Sequence, residues 1–179
     1  MGGLPHENQY EEFAKDYDEF GDISDYLGNE FEFFKAIFSE HQVSKVLDCA
    51  CGTGQHLLLC SHLGVEPFGS DYSHAMLEKA KANLEKSGVS VSMKQSDFRD
   101  LETAWDQKFH AVLCLTNSLP HLHRDKDLVM ALTSMRNRLN DGGILVLTTG
   151  TTEATLKLEP IEIVINREDF SRIFVKETN

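Results

Sequence analysis

The sequence contains no apolar run approaching the roughly 20 residues that a membrane-spanning helix needs, so a membrane-embedded protein is not expected. Its opening stretch, MGGLPHENQYEEF, lacks both the basic start and the apolar core of a secretion signal, which makes the cytoplasm the expected compartment. Basic residues are in deficit, with 17 Lys and Arg against 29 Asp and Glu and a formal net charge of −12. Nucleic-acid binders displace counterions with a cationic footprint, and no basic cluster occurs here, so nucleic acid is excluded as a partner. The acidity reads as solubility and at most favours a cationic ligand. Cysteine is scarce: Cys49, Cys51, Cys60 and Cys114 include a CxC spacing without the second pair that would complete a zinc tetrahedron. They read as small buried thiols in a reducing compartment. The eight histidines show no ligand pattern, so no metal is expected.

What is present is an alternation. With 41% hydrophobic and 26% charged residues in 179, the chain reads as one globular domain with room for a core. From Val43 onward, VSKVLDC, EPFGSD, VSVSMKQ, FHAVLCLT and GGILVLTTG read as buried strands. Helical stretches separate them. QHLLLCSHLG follows a glycine turn, and SHAMLEKAKANLEKSG starts at the cap Ser73 and stops at Gly88. RDKDLVMALTSMRNRLNDGG carries Leu128, Leu132, Met135 and Leu139 at helical spacing and ends in paired glycines. Strands alternating with helices imply βαβ units, hence an α/β fold with a mostly parallel sheet covered on both faces.

The two ends differ from this middle. Tyr10, Phe13, Tyr17 and Phe20 form an aromatic stripe at three- and four-residue steps, followed by YLGNEFEFFKAIF; both segments read as helices laid on the sheet. After GILVLTTG come about thirty residues in which IEIVI and FSRIFVKE flank the polar NRED, the pattern of a hairpin. The expected organisation is a helical lid over residues 1–42 packed on a core of residues 43–179, one domain overall.

The stretch VLDCACGTGQHLLLC carries the chemistry. In an open parallel sheet, ligands collect beyond the carboxyl ends of the strands where the strand order reverses, and glycines such as Gly52 and Gly54 let a ligand approach the backbone. A nicotinamide dinucleotide site would also want a third glycine where Leu57 stands. Asp48, ahead of the glycines, would repel a pyrophosphate and attract a cationic amino group. Asp71, ending the second strand, can accept both hydrogen bonds of a ribose diol.

In order, LDCACGTG, FGSDYSHAML, QSDFRDL, FHAVLCLTNSLPHL and LNDGGILVL resemble the successive motifs of class I S-adenosylmethionine-dependent methyltransferases over residues 43 to 150. The first loop has Ala50 where many relatives carry glycine. The resemblance implies a Rossmann-like methyltransferase fold and S-adenosyl-L-methionine as cofactor, with S-adenosyl-L-homocysteine as product. It places Asp48 and the Ala50–Gly54 backbone at the methionine portion and Asp71 at the ribose. Tyr72 and Met76 would pack near the adenine, Asp97 would accept from its amino group, and the Phe98 N–H would meet a ring nitrogen. Leu115 and Thr116 would flank the transferable methyl.

Further, CLTNSLPHL looks like the CLGNSxxHL stretch of the glycine and sarcosine N-methyltransferase-like branch, and YDEF resembles its tyrosine-bearing entry segment. The implied acceptor is a small molecule, with an amine nitrogen first and a hydroxyl second. Asn117 and His121 would position the acceptor, with no certain catalytic residue, and Tyr17 (or Tyr26 after it) would close over the sulfonium. One departure is the stretch LTTGTTEATL, without the arginine that clamps a substrate carboxylate in that branch. Alternatives are an inactive cofactor-binding regulatory or assembly protein and, disfavoured by Leu57 and Asp97, an NAD-type oxidoreductase. A homo-oligomer is compatible with the sequence.

Overall fold

The computed structural model describes the backbone of residues 23–148, 162–166 and 171–175, with side chains over residues 30–148. The aromatic stripe of Tyr10 to Phe20, and with it the first expected helix, lies outside the described residues. The first described helix, α1 (Ile23–Glu40), precedes β1 (Lys45–Asp48), α2 (Gln55–His62), β2 (Glu66–Asp71), α3 (His74–Lys86) and β3 (Ser92–Gln95). There follow a short 3₁₀ turn at Leu101–Thr103, β4 (Phe109–Cys114), a second at Leu119–His121, α4 (Asp125–Asn137) and β5 (Leu139–Leu147). β6 (Glu162–Asn166) and β7 (Ser171–Val175) pair antiparallel in a separate two-stranded sheet.

The five strands β1–β5 form one wholly parallel sheet in the order β3-β2-β1-β4-β5. The chain therefore winds outward from β1 to β3, returns to the other side of β1, and continues through β4 to β5. The order reverses between β1 and β4. All five carboxyl ends lie on one edge, so the loops after β1, β2, β3 and β4 converge there.

Side-chain alternation assigns the two faces. On one, Val46, Ala111 and Leu113 pack with Leu59 of α2 and with Phe34 and Phe38 of α1. On the other, Leu47, Phe68 and Val112 meet Trp105, Phe109, Ala131 and Met135, with Phe68, Trp105 and Phe109 in mutual edge-to-face contact. A third cluster joins α2 and α3 through Leu57, Leu58, Leu77 and Leu84. α3 starts as the sequence implies: the Ser73 hydroxyl accepts the Met76 N–H, and Gly88, just past the end, takes a φ of 69°.

α4 and β5 depart from the sequence reading. The helix ends at Asn137, and Leu139 already belongs to the strand. A register shift opposite Phe109 and Ala111 takes up Asn140–Gly143, with Gly142 at φ 76°. The buried face of α4 is Asp127, Ala131, Ser134 and Met135, while Leu128, Val129 and Met130 are exposed. Of the Leu128–Leu132–Met135–Leu139 stripe, Met135 is fully buried and Leu132 and Leu139 pack partly buried against the same cluster, while Leu128 is exposed. The Ser134 hydroxyl accepts the Leu101 N–H, which ties this side of the helix to the 3₁₀ turn at Leu101–Thr103.

Gly69, in the middle of β2, is a packing glycine that periodicity does not flag. A Cβ there would lie 2.7 Å from Leu57 Cδ1 and 3.1 Å from both Cys51 Sγ and Met93 Cγ. Gly69→Ala is expected to destabilise the protein by about 1–3 kcal/mol through overpacking. Urea denaturation measures it, and an unchanged midpoint would mean that the three neighbours yield without strain.

Candidate functional site

The loop that leaves β1 runs from Cys49 to Gly54 and is held by both neighbouring strands. The Cys49 N–H donates to the Leu113 carbonyl of β4 and the Cys51 N–H to the Ser70 carbonyl of β2. Gly52 takes φ 52° and Gly54, capping α2, takes φ 87°. The two glycines serve different ends. A Cβ on Gly54 would press on the Ala80 Cβ at 3.1 Å, whereas one on Gly52 would meet nothing within 4 Å. Gly54 therefore lets α3 approach the loop, and Gly52 leaves open space above it. The buried hydroxyl of Thr53, between them, has no partner among the described residues.

Two carboxylates flank this turn. Asp48 is 1% exposed, and its Oδ1 accepts the Ala50 N–H at 3.2 Å. Burial pushes its carboxyl up to about 6; Asp71 adds to the rise, while His56 and the Ala50 N–H oppose it. Asp71 accepts from the loop on one side and the helix cap on the other. Its Oδ2 takes the Gly52 N–H and its Oδ1 the Ser73 N–H, each at 2.9 Å. Burial raises Asp71 too, against the N–H groups of Ser73, Gly52 and Tyr72. A carboxylate has about four lone-pair sites, so each Asp71 oxygen retains one for a ligand hydroxyl.

α1 and α2 are joined by a pair that the motif pattern does not contain. His56 Nε2 on α2 lies 2.8 Å from Glu30 Oε2 on α1, and the imidazole rests edge-on against Phe34 with ring centroids 6.0 Å apart. Burial works against a charged His56, but the Glu30 hydrogen bond and the charges of Asp48 and Glu30 outweigh it and raise its pKa. Glu30 is correspondingly lowered, chiefly by the bond to His56. No local spacing links these residues.

The loop after β3 holds Asp97 and Phe98. Asp97 is gripped by the guanidinium of Arg99: Nε reaches Oδ1 at 3.0 Å and Oδ2 at 2.9 Å, and Nη2 reaches Oδ2 at 2.5 Å. Arg99 also approaches Asp127 Oδ1 at 3.9 Å, and Asp127 Oδ2 accepts from Arg124 Nε at 2.6 Å. Sequence reading treated Asp97 alone; the arginine two residues on was the available signal. The Phe98 side chain is buried in the core rather than turned outward. Tyr72 is half-buried, its carbonyl accepting from Gln95 Nε2 at 2.9 Å, and Met76 is 2% exposed.

Past β4, Leu115 is buried, while Thr116 and Asn117 are exposed and take φ 48° and 59°. Two consecutive non-glycine residues in the left-handed region are uncommon, the β-branched Thr most of all, and each costs on the order of 1–3 kcal/mol. The Thr116 N–H donates to Thr148 Oγ1 beyond β5 at 3.0 Å, which braces the turn. Asn117 thus stands at the carboxyl edge, and the half-buried His121 ends the following 3₁₀ turn. Tyr17 lies outside the described residues, as does the side chain of Tyr26. The four cysteines are buried and free; burial raises Cys49, Cys51 and Cys60 well above the ordinary thiol range. Among the described residues no cluster of His, Cys, Asp and Glu could hold a metal ion, and no helix is long and apolar enough to cross a membrane.

The chain is similar to known proteins in sequence and in fold. A family profile described as "Methyltransferase domain" matches residues 46–143. A glycine/sarcosine N-methyltransferase from Aphanothece halophytica is 33% identical over 143 residues, which cover 79% of this chain and 54% of that one. This chain spans about half the length of the curated glycine/sarcosine relatives it matches, at 54%, 49% and 50%. A structure of a S-adenosylmethionine-dependent methyltransferase from Clostridium acetobutylicum superposes with a TM-score of 0.71 at 19% identity, covering 94% of this chain and 80% of that one. The sugar N-methyltransferase KedS8 from Streptoalloteichus has a TM-score of 0.69 at 28% identity, covering 82% of this chain and 58% of that one.

Proposed function

Because the chain belongs to the class I S-adenosylmethionine-dependent methyltransferase family, we propose that it binds S-adenosylmethionine across the loop after β1 and methylates a nitrogen of a small-molecule amine. The observation that carries this reading is the meeting, at the point where strand order reverses, of Asp48, the open space over Gly52, and Asp71. A nucleoside bearing a cationic amino-acid tail fits that set: an anion at one end, a diol acceptor at the other, and bare backbone between. When bound, the cofactor supplies an already activated methyl group on its sulfonium.

The residues have distinct tasks in this reading. Asp48 and the Ala50–Gly54 backbone hold the methionine portion, and Asp71 holds the ribose. Tyr72 and Met76 line the adenine side, with the Phe98 N–H and Asp97 as polar partners. Asp97 meets the adenine amino group while already held by Arg99, which pre-orients the carboxylate rather than leaving it to swing. Leu115 walls the methyl. Asn117, fixed by the left-handed turn and the Thr148 brace, and His121 position the acceptor so that its lone pair lies in line with the methyl–sulfur bond. Such positioning can contribute several kcal/mol, up to roughly 7–11 in ideal cases. A neutral amine needs only to lose a proton to water around the transfer. Tyr17, by the family resemblance of YDEF, is the residue assigned to close over the sulfonium.

Nitrogen is favoured as acceptor because the relatives named above are N-methyltransferases of glycine, sarcosine and a sugar. Glycine itself fits less well, because no arginine follows β5 in LTTGTTEATL. Titration calorimetry with S-adenosylmethionine, S-adenosylhomocysteine and NAD is expected to show binding of the first two only; binding of NAD in their place would overturn the reading. Incubation with a panel of amines, amino acids and phenols then identifies the acceptor, and binding without transfer to any would leave a cofactor-binding regulatory protein. In that assay Asn117→Ala is expected to slow transfer roughly 10- to 100-fold, the loss of one oriented hydrogen bond, with cofactor affinity retained. Equal losses in both would displace Asn117 from the acceptor side.

A further inference from the structure

We infer that Arg99, anchored from behind by Asp127 of α4, is what makes the site selective for a 6-amino purine: it leaves the Asp97 carboxylate one fixed acceptor for the amino group of the cofactor's adenine. The inference rests on the proposed placement of the adenine beside Asp97 and adds to it two positioning residues, one of them on α4.

A carboxylate offers about four lone-pair sites. Arg99 alone brings three N–H donors to Asp97. Its backbone N–H reaches Oδ1 at 2.9 Å, its Nε lies between the two oxygens at 3.0 and 2.9 Å, and its Nη2 reaches Oδ2 at 2.5 Å. About one site remains. Asp97 keeps 23% of its side chain exposed, so that site is open to a ligand, while Arg99 at 16% is the more enclosed of the two. Turning the carboxylate away would break a fork of charge-assisted bonds.

The guanidinium is itself held on its far side. Its Nη1 lies 3.9 Å from Asp127 Oδ1, and Asp127 Oδ2 receives Arg124 Nε at 2.6 Å. Asp127 is buried, and a buried carboxylate is stable as an anion only with cations beside it. Of its two, Arg124 is 62% exposed and Arg99 is enclosed. Arg99 thus spans two acidic groups, one on the loop after β3 and one on α4, and swinging out to water would leave both unpaired.

Rigidity is what converts this arrangement into selectivity. A carboxylate free to rotate can turn to water when a ligand lacks the amino group, and it then loses little. A carboxylate pinned by Arg99 stays facing the purine edge without a partner, so the missing amino group carries the full penalty of an unpaired polar group. The charge of Asp97 attracts the amino group, and Arg99 with Asp127 makes its absence costly.

The test compares two ligands of the full chain by titration calorimetry: S-adenosylhomocysteine, and the same molecule with hydrogen in place of the 6-amino group. The wild type is expected to prefer the amino form roughly 10- to 100-fold, the value of one charge-assisted hydrogen bond. Arg99→Met leaves Asp97 only a backbone donor, and the preference is expected to fall to about 3-fold or less. Arg99→Lys keeps the charge without the fork and should lie between the two. Asp127→Asn removes the anchor and should cut the preference about 2- to 5-fold. A merely structural role for Arg99 would weaken both ligands alike and leave the preference at its wild-type value, which overturns the inference. An unchanged preference in Asp127→Asn overturns the part assigned to α4. Should Arg99→Met fail to fold, Arg99→Lys decides by the same ratio. If the wild type binds both ligands equally, the cofactor reading stands and the selectivity falls; if it binds neither, the functional reading falls and takes the inference with it.

Discussion

Asp71→Ala is expected to weaken S-adenosylmethionine binding by about 3 kcal/mol or more, roughly a hundredfold or greater, and to lower stability at the same time. The affinity loss follows from two charge-assisted hydrogen bonds to the ribose diol. The stability loss follows from bonds already present without ligand, since Asp71 accepts the N–H groups of both Gly52 and Ser73. Removing the carboxylate leaves two donors at the mouth of the site without an acceptor, at about 1–3 kcal/mol each if they stay buried. Asp71→Asn separates the two effects. Its one carbonyl oxygen can replace a single acceptor, and its NH2 would face an N–H on the other side, so stability should recover only in part. Calorimetry against thermal denaturation across the pair measures both. Full cofactor affinity in Asp71→Ala would remove the ribose assignment, whatever happened to the melting temperature.

At Asp48 the opposite compromise is expected: Asp48→Asn should bind cofactor poorly yet melt later at alkaline pH. The carboxyl is raised from an ordinary 3.8 to about 6 by burial. A group raised in the folded state contributes stability that is fully present below its unfolded value and is lost as pH rises through the folded one. Ionising Asp48 in the folded protein therefore costs about 3 kcal/mol by pH 8. The isosteric amide avoids that cost while keeping an oxygen for the Ala50 N–H. Part of the gain is offset because His56 loses a neighbouring anion, so a net stabilisation of about 1–3 kcal/mol is expected near pH 8 and almost none near pH 4. Melting temperature as a function of pH measures it. A variant less stable than wild type at pH 8 would show that the favourable influence of the His56 charge outweighs desolvation. Retention of a buried, chargeable group at the expense of stability is what a ligand site requires and a mere core position does not.

Much of this site could be read one stretch at a time. The strand that ends on Asp48, the glycines that follow, Asp71 at the end of the next strand, and the Ser73 cap are all local patterns. Each depends on a dihedral, a period or a spacing of a few residues. Less legible was how far the buried face of α4 extends: Met135 and, in part, Leu132 and Leu139 of the sequence stripe pack as spaced, but Leu128 is exposed and Asp127, Ala131 and Ser134 are buried beside them. Asp97 could be singled out from its strand-end position, but its bond to Arg99 and the extension to Asp127 could not, because an ion pair depends on rotamers and on the helix that happens to pack alongside.

The amino-acid sequence by itself determined the order of elements, the parallel α/β class, the glycine bend and the two acidic strand ends, since these follow from propensities and periodicities that hold in any context. Only the tertiary structure decided that Gly69 is a packing requirement, that Thr116 and Asn117 share a left-handed turn braced by Thr148, and that Glu30 reaches His56 across 26 residues of chain. Desolvation and charge coupling belong to surroundings rather than to residues. The ionisation of Asp48 is therefore set by how deeply the fold buries it and by the charges the fold brings near it, which no propensity or periodicity encodes.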